Sequence, residues 1–428
     1  MFPERVRVLA LGGGIHGVGV VHDLATRGWR DVALVEKSTV AAGTSSRSTK
    51  LIHGGLRYLQ NLRDFPLVSD ALRERLLLSK LAPDLVHPLQ FLFPVMKKGG
   101  MPGFVIQTGL ALYDLLAGKS KFAPHASVSL DQASALCPPI DVELFRKFFS
   151  FWDGQMDDLA LAQRVGASAQ SLGAKIFEHC LVESLAPSDD GWNVTIRTPA
   201  GGRHVISALY VVNCLGPWAN ALLERSGITP THQAFNNKGI HLVVEDLGLK
   251  AGLFLQSPED GRVFFVLPWQ GKTLVGTTED NFTGDPDNVF AEEKEIKYLL
   301  EHCNRYLSRK IRPADIITTF AGLRWLPLER GRSMSRTSRS HVIGMHAGKR
   351  GSLMTIYGGK YTTYRTLARE LGDRITKNFG EFRPSQTDDP QKWVRSHSGI
   401  YNTPGPVERF AHEINPENTA KKQSAGQA

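Results

Sequence analysis

The sequence predicts an α/β domain interleaved with a β-rich α+β domain. A short apolar run, Val6 to Leu11, ends in a glycine-rich turn and passes into a segment of helical periodicity, Ile15 to Arg27. A second apolar run follows at Val32 to Val35, so the N-terminal segment is typical of a βαβ unit on a buried parallel sheet. The middle of the chain is instead rich in short β-prone runs bounded by turn residues.

Four of these middle runs predict a largely antiparallel sheet: Trp192 to Thr198, Gly239 to Glu245, Arg262 to Trp269 and Thr273 to Glu279. Between the first two lies Arg203 to Cys214, a β-prone stretch that we expect to return the chain to the first sheet. Further on, Ser352 to Tyr357 predicts a strand and Tyr361 to Phe379 a helix. After Gly380 the chain is polar and proline-rich, which predicts an extended or partly disordered tail.

These elements predict two interleaved domains followed by a tail. We expect residues 1–75, 150–220 and 340–380 to form one discontinuous domain, which carries the glycine-rich turn. Residues 76–149 and 221–339 form the second domain, and residues 381–428 form the polar tail. A chain of 428 residues is long enough to bury more than one hydrophobic core.

The charge balance favours anionic partners. A formal net charge of +9 suits phosphate esters, phospholipid headgroups or nucleic acid, and the charge alone does not choose among them. No secretory signal is apparent, because the first apolar run is short and leads directly into glycines. The most apolar stretch, Gly103 to Gly118, contains Gln107 and Asp114 and predicts no membrane-spanning helix. We therefore expect a cytoplasmic protein.

The four cysteines do not indicate a metal or disulfide framework. They are widely spaced and form no Cys-x-x-Cys pair: Cys137, Cys180, Cys214 and Cys303. Reduced structural thiols in the cytosol are the expectation, with no metal site.

The turn itself has the spacing of a dinucleotide site. Gly12, Gly14 and Gly17 fit G-x-G-x-x-G between a strand and a helix, and Glu36 follows Gly17 after 19 positions. The first glycine permits the turn, the second lets a pyrophosphate approach the backbone, and the third lets helix pack on strand. The helix N-terminus binds the phosphates, and Glu36 accepts ribose hydroxyls. The first domain is therefore predicted to be Rossmann-like.

The motif alone leaves NAD and FAD open. A polar segment that follows, Thr44-Ser45-Ser46 with Ser48-Thr49-Lys50 and His53-Gly54-Gly55, can line an extended dinucleotide with hydroxyl and amide groups. The chain contains no second G-x-G-x-x-G, which disfavours a flavoprotein driven by NAD(P)H. We therefore expect an FAD enzyme whose own substrate reduces the flavin.

The stretch from Lys50 to Leu59, KLIHGGLRYL, closely resembles the FAD-dependent glycerol-3-phosphate dehydrogenase family. Further matching stretches follow in the same order: Asp157-Asp158, Val212 to Trp218, Lys238 to His241, Pro268-Trp269, Gly276-Thr277-Thr278, Gly322-Leu323-Arg324 and Gly358 to Arg365. The resemblance covers roughly residues 5 to 378. An ordered set of this kind is far more specific than a glycine triplet.

The resemblance implies a fold and a reaction. The fold is a Rossmann-like FAD-binding domain joined to a β-rich substrate domain, with the site in the cleft between them. The reaction is the oxidation of sn-glycerol 3-phosphate to dihydroxyacetone phosphate. Flavin N5 takes the hydride, and the electrons pass to a quinone or another acceptor.

The resemblance also implies residue roles. Arg324 and Arg336 match the family's phosphate-binding pair, and paired guanidinium groups suit a phosphate dianion. His241 is the candidate base, and His53 is its rival. Three residues orient the substrate and stabilise developing negative charge: Arg57, Tyr58 and Lys360. His241, Arg324 and Lys360 form the predicted catalytic set.

The predicted FAD-binding residues come from the turn, the polar segment and the matched stretches. They are Gly12, Gly13, Gly14, His16, Gly17, Glu36, Lys37, Thr44, Ser45, Ser46, Thr49, Lys50, Leu51, His53, Gly54, Gly55, Val182, Gly216, Gly359, Lys360, Tyr361 and Thr362. Gly358 and Gly359 precede the predicted late helix, so their amides and the helix dipole can favour an anionic reduced flavin.

Three departures from the family pattern leave alternatives open. Ile240 stands where serine is common, Trp325 where proline is common, and a polar tail stands where the family continues into a helical domain. The alternatives are a flavin oxidase, a dehydrogenase of another phosphorylated or acidic alcohol, and a non-catalytic FAD-binding scaffold. The basic charge can also serve peripheral attachment to the anionic inner face of a membrane. We expect no nucleic-acid partner, and the oligomeric state stays open.

Overall fold

A computed structural model describes residues 2–328, 340–395 and 410. Two sheets dominate the described chain, and helices cover the first of them. The strands of the first sheet are β1 (Arg5–Leu11), β2 (Val32–Val35), β7 (Lys175–Phe177), β8 (Leu181–Ser188), β9 (Gly191–Arg197), β10 (Arg203–Asn213), β17 (Val342–Ala347) and β18 (Ser352–Tyr357).

The second sheet takes its strands from the remaining segments. They are β3 (Leu51–Ile52), β4 (Val86–Met96), β5 (Ala126–Val128), β6 (Phe145–Met156), β11 (Ala234–Val244), β12 (Gly252–Gln256), β13 (Val263–Trp269), β14 (Lys272–Gly276), β15 (Asp280–Phe282) and β16 (Ile316–Pro327). Its described pairs are antiparallel except for β12 with β4.

The α-helices of the described chain are α1 (Ile15–Thr26), α2 (Phe65–Leu81), α3 (Gly103–Ala117), α4 (Leu130–Leu136), α5 (Asp158–Ser171), α6 (Ala219–Arg225), α7 (Glu293–Asn304) and α8 (Tyr364–Asn378). Helices α1, α5 and α8 bury their apolar faces in one core with β1 and β2. Gly19 on α1 lies directly against the Tyr364 ring, so the absence of a side chain there allows α1 and α8 to pack closely.

The first sheet confirms the predicted α/β architecture. β1 lies between β2 and β10 and is parallel to both, and β10 is parallel to β18. The segment Arg203 to Cys214 therefore does return the chain to the first sheet, as β10. The middle run Trp192 to Thr198 forms β9 of the first sheet. The three later runs belong to the second sheet. A short turn joins β9 to β10, so the local antiparallel pairing determines the place of β9.

The glycine-rich turn has the geometry that its spacing predicts. Gly12 has a φ of 97°, a conformation that favours glycine. A Cβ on Gly17 would stand 1.9 Å from the Gly12 carbonyl oxygen, so only glycine permits this contact between helix and strand. Gly28 ends α1 with a φ of 86°. By contrast α8 begins at Tyr364, so the loop 360–363 separates it from Gly359.

The predicted domain boundary between residues 149 and 150 falls inside β6, a strand of the second sheet. The division into domains stays a prediction. In the predicted tail, Trp393 is buried in the core around α1 and Phe410 is buried in the core of the second sheet. All four cysteines lie within the described residues and are free thiols. Among the residues described, none of the helices combines the length and apolar character that crossing a bilayer requires.

Candidate active site

An elongated cavity of about 730 Å³ runs along the carboxyl ends of the parallel strands. Gly12 follows β1, Glu36 follows β2, Gly216 follows β10 and Gly359 follows β18, and all four line it. Ligands of open α/β sheets bind at this edge, where strand order reverses. The far wall comes from the second sheet, so the two sheets enclose the cavity between them.

At the first turn of α1, backbone amides are held in place by side chains. The Ser45 Oγ accepts a hydrogen bond from the Ile15 amide at 2.9 Å. Glu36 accepts from the Gly13 amide at 2.6 Å through Oε2 and from the Ser38 amide at 2.8 Å through Oε1. Glu36 thus fixes the turn as well as lining the cavity, where it can accept ribose hydroxyls.

Next to Glu36, the cavity is closed by residues that follow β2 and β10 of the first sheet and β15 of the second sheet. The Lys37 ammonium lies 4.0 Å from the Trp218 ring centroid and forms an ion pair with Asp287. Val182 and Gly216 line the same cavity. This arrangement encloses the end of the cavity that Glu36 marks as the nucleoside end.

Three polar atoms that line or adjoin the cavity are buried and have no hydrogen-bond partner within the described part of the chain: Trp218 Nε1, Trp325 Nε1 and His241 Nδ1. Buried polar atoms without a partner are costly, so a polar ligand is expected to satisfy them. Together with the turn and its amides, this lining fits a dinucleotide.

His241 lies in β11, where β14 and β16 pair with the strand on its two sides. It is 1% exposed, its ring stacks on Phe320 with centroids 4.7 Å apart, and its Nε2 lies 3.0 Å from Thr49 Oγ1. Burial, and then the charges of Arg324 and Lys50, hold the pKa of His241 well below its ordinary value. The imidazole is therefore neutral near pH 7 and can accept a proton.

Arg324 lies opposite Asn237 in the pairing of β16 with β11. Its Nη1 donates to Asn237 Oδ1 at 2.8 Å, and its Nη2 donates to Thr277 Oγ1 at 3.0 Å. A Cβ on Gly239 would stand 2.7 Å from both terminal guanidinium nitrogens. The guanidinium is thus held in one orientation at the cavity wall.

Two more cations and a phenol lie together at this end. The Lys360 ammonium is 3.9 Å from the Tyr58 ring centroid, and Arg57 pairs with Glu279 at 3.0 Å. Gly55, with a φ of 91°, permits the ring of Tyr58 to fold back over it. The group formed by Arg57, Tyr58, His241, Arg324 and Lys360 is called the reactive end below.

Two further histidines line the cavity. Burial, and then the charge of His341, lower the pKa of His16 to about 4. Burial likewise lowers the pKa of His53 to about 4, although the nearby Asp153 opposes the shift. His53, the rival base, therefore also lies at the cavity as a neutral imidazole.

Most of the predicted site residues line this one cavity. They are Gly12, Gly14, His16, Glu36, Lys37, Thr44, Ser45, Thr49, Leu51, His53, Gly55, Arg57, Tyr58, Val182, Gly216, His241, Arg324, Gly359, Lys360, Tyr361 and Thr362. Residues 350 positions apart in sequence, Gly12 and Thr362, thus meet in one site.

Five predicted FAD contacts do not line the cavity: Gly13, Gly17, Ser46, Lys50 and Gly54. The Lys50 ammonium is buried against the Asp158 carboxylate, 2.9 Å away, because an isolated ammonium is too costly to bury. Gly54 provides space for the Tyr113 hydroxyl and the Leu72 side chain. Arg336, the second predicted phosphate ligand, lies outside the described residues, as do its neighbours Arg332 and Arg339.

Several residues of the site were not predicted. Asn237, Thr277 and Glu279 position the two arginines of the reactive end, and Trp218 closes the nucleoside end. Thr277 and Trp218 lie in stretches that carry the family resemblance, so that signal was available. Asn237 and Glu279 carry no such signal, because only strand pairing brings Asn237 to Arg324 and only the tertiary fold brings Glu279 to Arg57.

No group of three or more His, Cys, Asp or Glu residues in the described ranges could hold a metal ion. Residues 7–365 match the model of the FAD dependent oxidoreductase family, and the chain belongs to that family. FAD is its cofactor, and the protein is an oxidoreductase.

Curated relatives define the group more narrowly. The chain is 35% identical to D-erythritol 1-phosphate dehydrogenase of Brucella abortus over 90% of this chain and 77% of the relative. It is 34% identical to glycerol-3-phosphate dehydrogenase of Synechocystis, over 91% of this chain and 73% of that protein. Within the larger family the chain therefore belongs to the FAD-dependent glycerol-3-phosphate dehydrogenase family, which confirms the resemblance.

A solved structure agrees. Glycerol-3-phosphate dehydrogenase from Bacillus halodurans, complexed with FAD, has a TM-score of 0.73 and 25% identity to this chain. The match covers 91% of this chain and 68% of that one. The predicted flavin-binding fold is thereby confirmed.

We predict that Glu36→Ala weakens FAD binding. The carboxylate accepts two backbone amides and is placed to accept ribose hydroxyls, and charged hydrogen bonds contribute about 1.5–3 kcal/mol each. The dissociation constant should rise by at least about tenfold, measured from flavin fluorescence as FAD rebinds to the apoprotein. Glu224→Ala, which removes an exposed acid of α6, is the matched control. An unchanged constant for Glu36→Ala would show that Glu36 does not contact the cofactor.

Proposed function

We propose that the protein oxidises sn-glycerol 3-phosphate to dihydroxyacetone phosphate. The observation that carries the proposal is the buried, neutral imidazole of His241 beside the fixed guanidinium of Arg324. An imidazole can take the proton of an alcohol, and a guanidinium can bind a phosphate dianion. The name of the Synechocystis relative supports the same substrate.

Arg324 binds the substrate phosphate in this proposal. Its contacts with Asn237 and Thr277 fix the guanidinium before substrate arrives, so little conformational freedom is lost on binding. The phosphate then holds the adjacent alcohol carbon at one position in the cavity.

His241 takes the hydroxyl proton. If the Nε2 proton is donated to Thr49, Nδ1 carries the lone pair that accepts the substrate proton. The positive charges of Lys360 and Arg57 stabilise the negative charge that develops on the alcohol oxygen. Bound FAD supplies the two-electron acceptor that alcohol oxidation requires.

A second candidate substrate is another phosphorylated alcohol, such as D-erythritol 1-phosphate. The observation that favours it is the 35% identity to the Brucella enzyme named for that compound. Both compounds present a phosphate and an alcohol, so the same pair of His241 and Arg324 can serve either.

The decisive experiment is anaerobic reduction of the holoenzyme, followed by the loss of visible flavin absorbance. Glycerol 3-phosphate should bleach the flavin in the wild type, and His241→Gln should slow bleaching by about 100-fold or more, the usual contribution of a general base. D-erythritol 1-phosphate and unphosphorylated glycerol are tested beside it. If D-erythritol 1-phosphate bleaches the flavin and glycerol 3-phosphate does not, the substrate is D-erythritol 1-phosphate and the primary proposal is wrong. Near-normal flavin reduction in His241→Gln would exclude His241 as the base.

We further propose a quinone or another external molecule as the electron acceptor. Four phenylalanine side chains line the cavity and offer an apolar wall to a ring: Phe91, Phe151, Phe254 and Phe265. Turnover in air distinguishes this acceptor from oxygen. Quinone-dependent turnover without peroxide supports it, whereas peroxide formed in equal amount to product indicates an oxidase.

We predict that Asn237→Ala raises KM for the phosphorylated substrate more than it lowers kcat. The Arg324 guanidinium loses one of its fixed acceptors and must be ordered by the substrate instead. A loss of about tenfold in kcat/KM corresponds to about 1.4 kcal/mol, the size of one such hydrogen bond. Asn281→Ala, opposite Asn237 on β15, is the matched control because its side chain is exposed. An equal effect of the control would contradict the role of Asn237.

We also propose peripheral attachment to an anionic membrane surface through α3. Phe104 and Leu115 on α3 are 73% and 75% exposed, which is unusual for large apolar side chains. Exposed lysines flank the helix in sequence at Lys98 and Lys119. Apolar side chains beside lysines suit the boundary between headgroups and acyl chains.

The double variant Phe104→Ser/Leu115→Ser should lose most cosedimentation with vesicles that contain anionic lipid. Wild-type binding should fall at high salt, because the lysine contribution is screened. Val205→Ser, which removes an exposed apolar residue from β10, is the control. Equal cosedimentation of all three proteins would exclude α3 as the attachment site.

A further inference from the structure

Lys50 is fully buried and belongs to a network beside the reactive end. Its ammonium lies 2.9 Å from both carboxylate oxygens of Asp158 and donates to the Ser46 carbonyl at 2.5 Å. Asp158 also accepts from the Ser48 hydroxyl at 2.7 Å. The segment 46–50, which contains Thr49, is therefore tied to one point.

Three aromatic rings surround the Lys50 ammonium. The ring centroids lie 4.9 Å away for Phe320, 5.3 Å for Phe410 and 5.6 Å for Trp269. A desolvated ammonium is attracted to aromatic faces at such distances. Two of these rings come from the second sheet, whereas Phe410 comes from the C-terminal part of the chain.

Phe410 is held by its backbone as well as by its ring. It is 3% exposed, its ring stacks on Phe320 with centroids 4.4 Å apart and planes at 17°, and its carbonyl accepts from Thr318 Oγ1 at 3.1 Å. Thr318 and Phe320 both belong to β16. The residue thus contacts one strand of the second sheet at two points.

These contacts lead to His241 by two routes. Phe320 stacks on the His241 ring at 4.7 Å and lies opposite it in the pairing of β11 with β16. Thr49, which follows Ser48 and precedes Lys50, accepts or donates the hydrogen bond at His241 Nε2. Phe410 touches the start of both routes, namely Phe320 and the Lys50 ammonium.

We propose that Phe410 is a positioning residue for His241, holding its imidazole in place through the ring of Phe320 and the segment of Lys50. The proposal rests on the proposed role of His241 as the base. A ring at position 410 keeps water from the Lys50 and Asp158 pair and restricts the plane of Phe320. Without it the imidazole gains freedom to turn away from the substrate.

The first test measures flavin reduction in the full-length holoenzyme of Phe410→Ala. The rate constant at saturating glycerol 3-phosphate should fall about tenfold, while the apparent substrate dissociation constant stays within about twofold. Phe410→Tyr should restore the rate because it keeps the ring. Phe382→Ala, which removes an exposed phenylalanine near α8, is the control and should match the wild type.

The second test needs no substrate. The visible absorbance of bound FAD is titrated between about pH 5 and 8 in the wild type, Phe410→Ala and Phe410→Ala/His241→Gln. Burial lowers the pKa of His241, with Arg324 and the Lys50 of the Lys50–Asp158 pair as the charged neighbours, so the wild type should show no transition. Admission of water should raise that pKa toward its ordinary value of about 6.5 and add a transition in Phe410→Ala. The double variant should lack it.

Phe410→Leu separates loss of the ring from loss of the folded state, because leucine fills most of the space without a stacking ring. It should show the slower reduction and the added transition at a melting temperature close to that of the wild type. Variants that fold and bind FAD, yet show wild-type reduction and no transition, would overturn the proposal. If no phosphorylated alcohol reduces the wild type, the proposed substrate fails, and the titration alone decides the role of Phe410.

Discussion

A fully buried ion pair between Lys50 and Asp158 holds together the parts of the protein that surround the cavity. Asp158 begins α5, which packs with α1 under the first sheet, and Lys50 directly precedes β3 of the second sheet. The Tyr361 hydroxyl donates to the Asp158 carbonyl at 2.5 Å, which ties the segment after β18 to the same point. Removing one partner of a buried pair typically costs about 3–5 kcal/mol, so the geometry of the cavity depends on this contact.

The cofactor half of the site could be predicted because its determinants are local. The strand, the turn and the helix lie within the first 26 residues. The spacing of the glycines indicates where the backbone needs a tight turn or a close contact that other residues do not allow. Gly12 has the positive φ, Gly17 makes the close contact, and Glu36 lies at the end of the next strand. Matched stretches of sequence then supplied His241, Arg324 and Lys360 for the reactive end.

The supporting contacts could not be predicted because they join distant residues. Arg57 and Glu279 are 222 positions apart, and Asn237 reaches Arg324 only through the register of β11 with β16. The polar composition around Lys50 suggested a cofactor contact, yet its charge is neutralised by Asp158 inside the protein. Trp192 to Thr198 is antiparallel as predicted, but its partners β8 and β10 could not be predicted, since alternation indicates a strand without identifying its neighbour.

The interleaving of the two sheets also determines how late in biosynthesis the cavity is completed. β1 and β2 leave the ribosome early, but their sheet is completed only by β10, which begins at Arg203, and by β18, which begins at Ser352. Gly359 and Lys360, which close the cavity, are translated later still. The complete cavity therefore exists only after nearly the whole described chain has been translated.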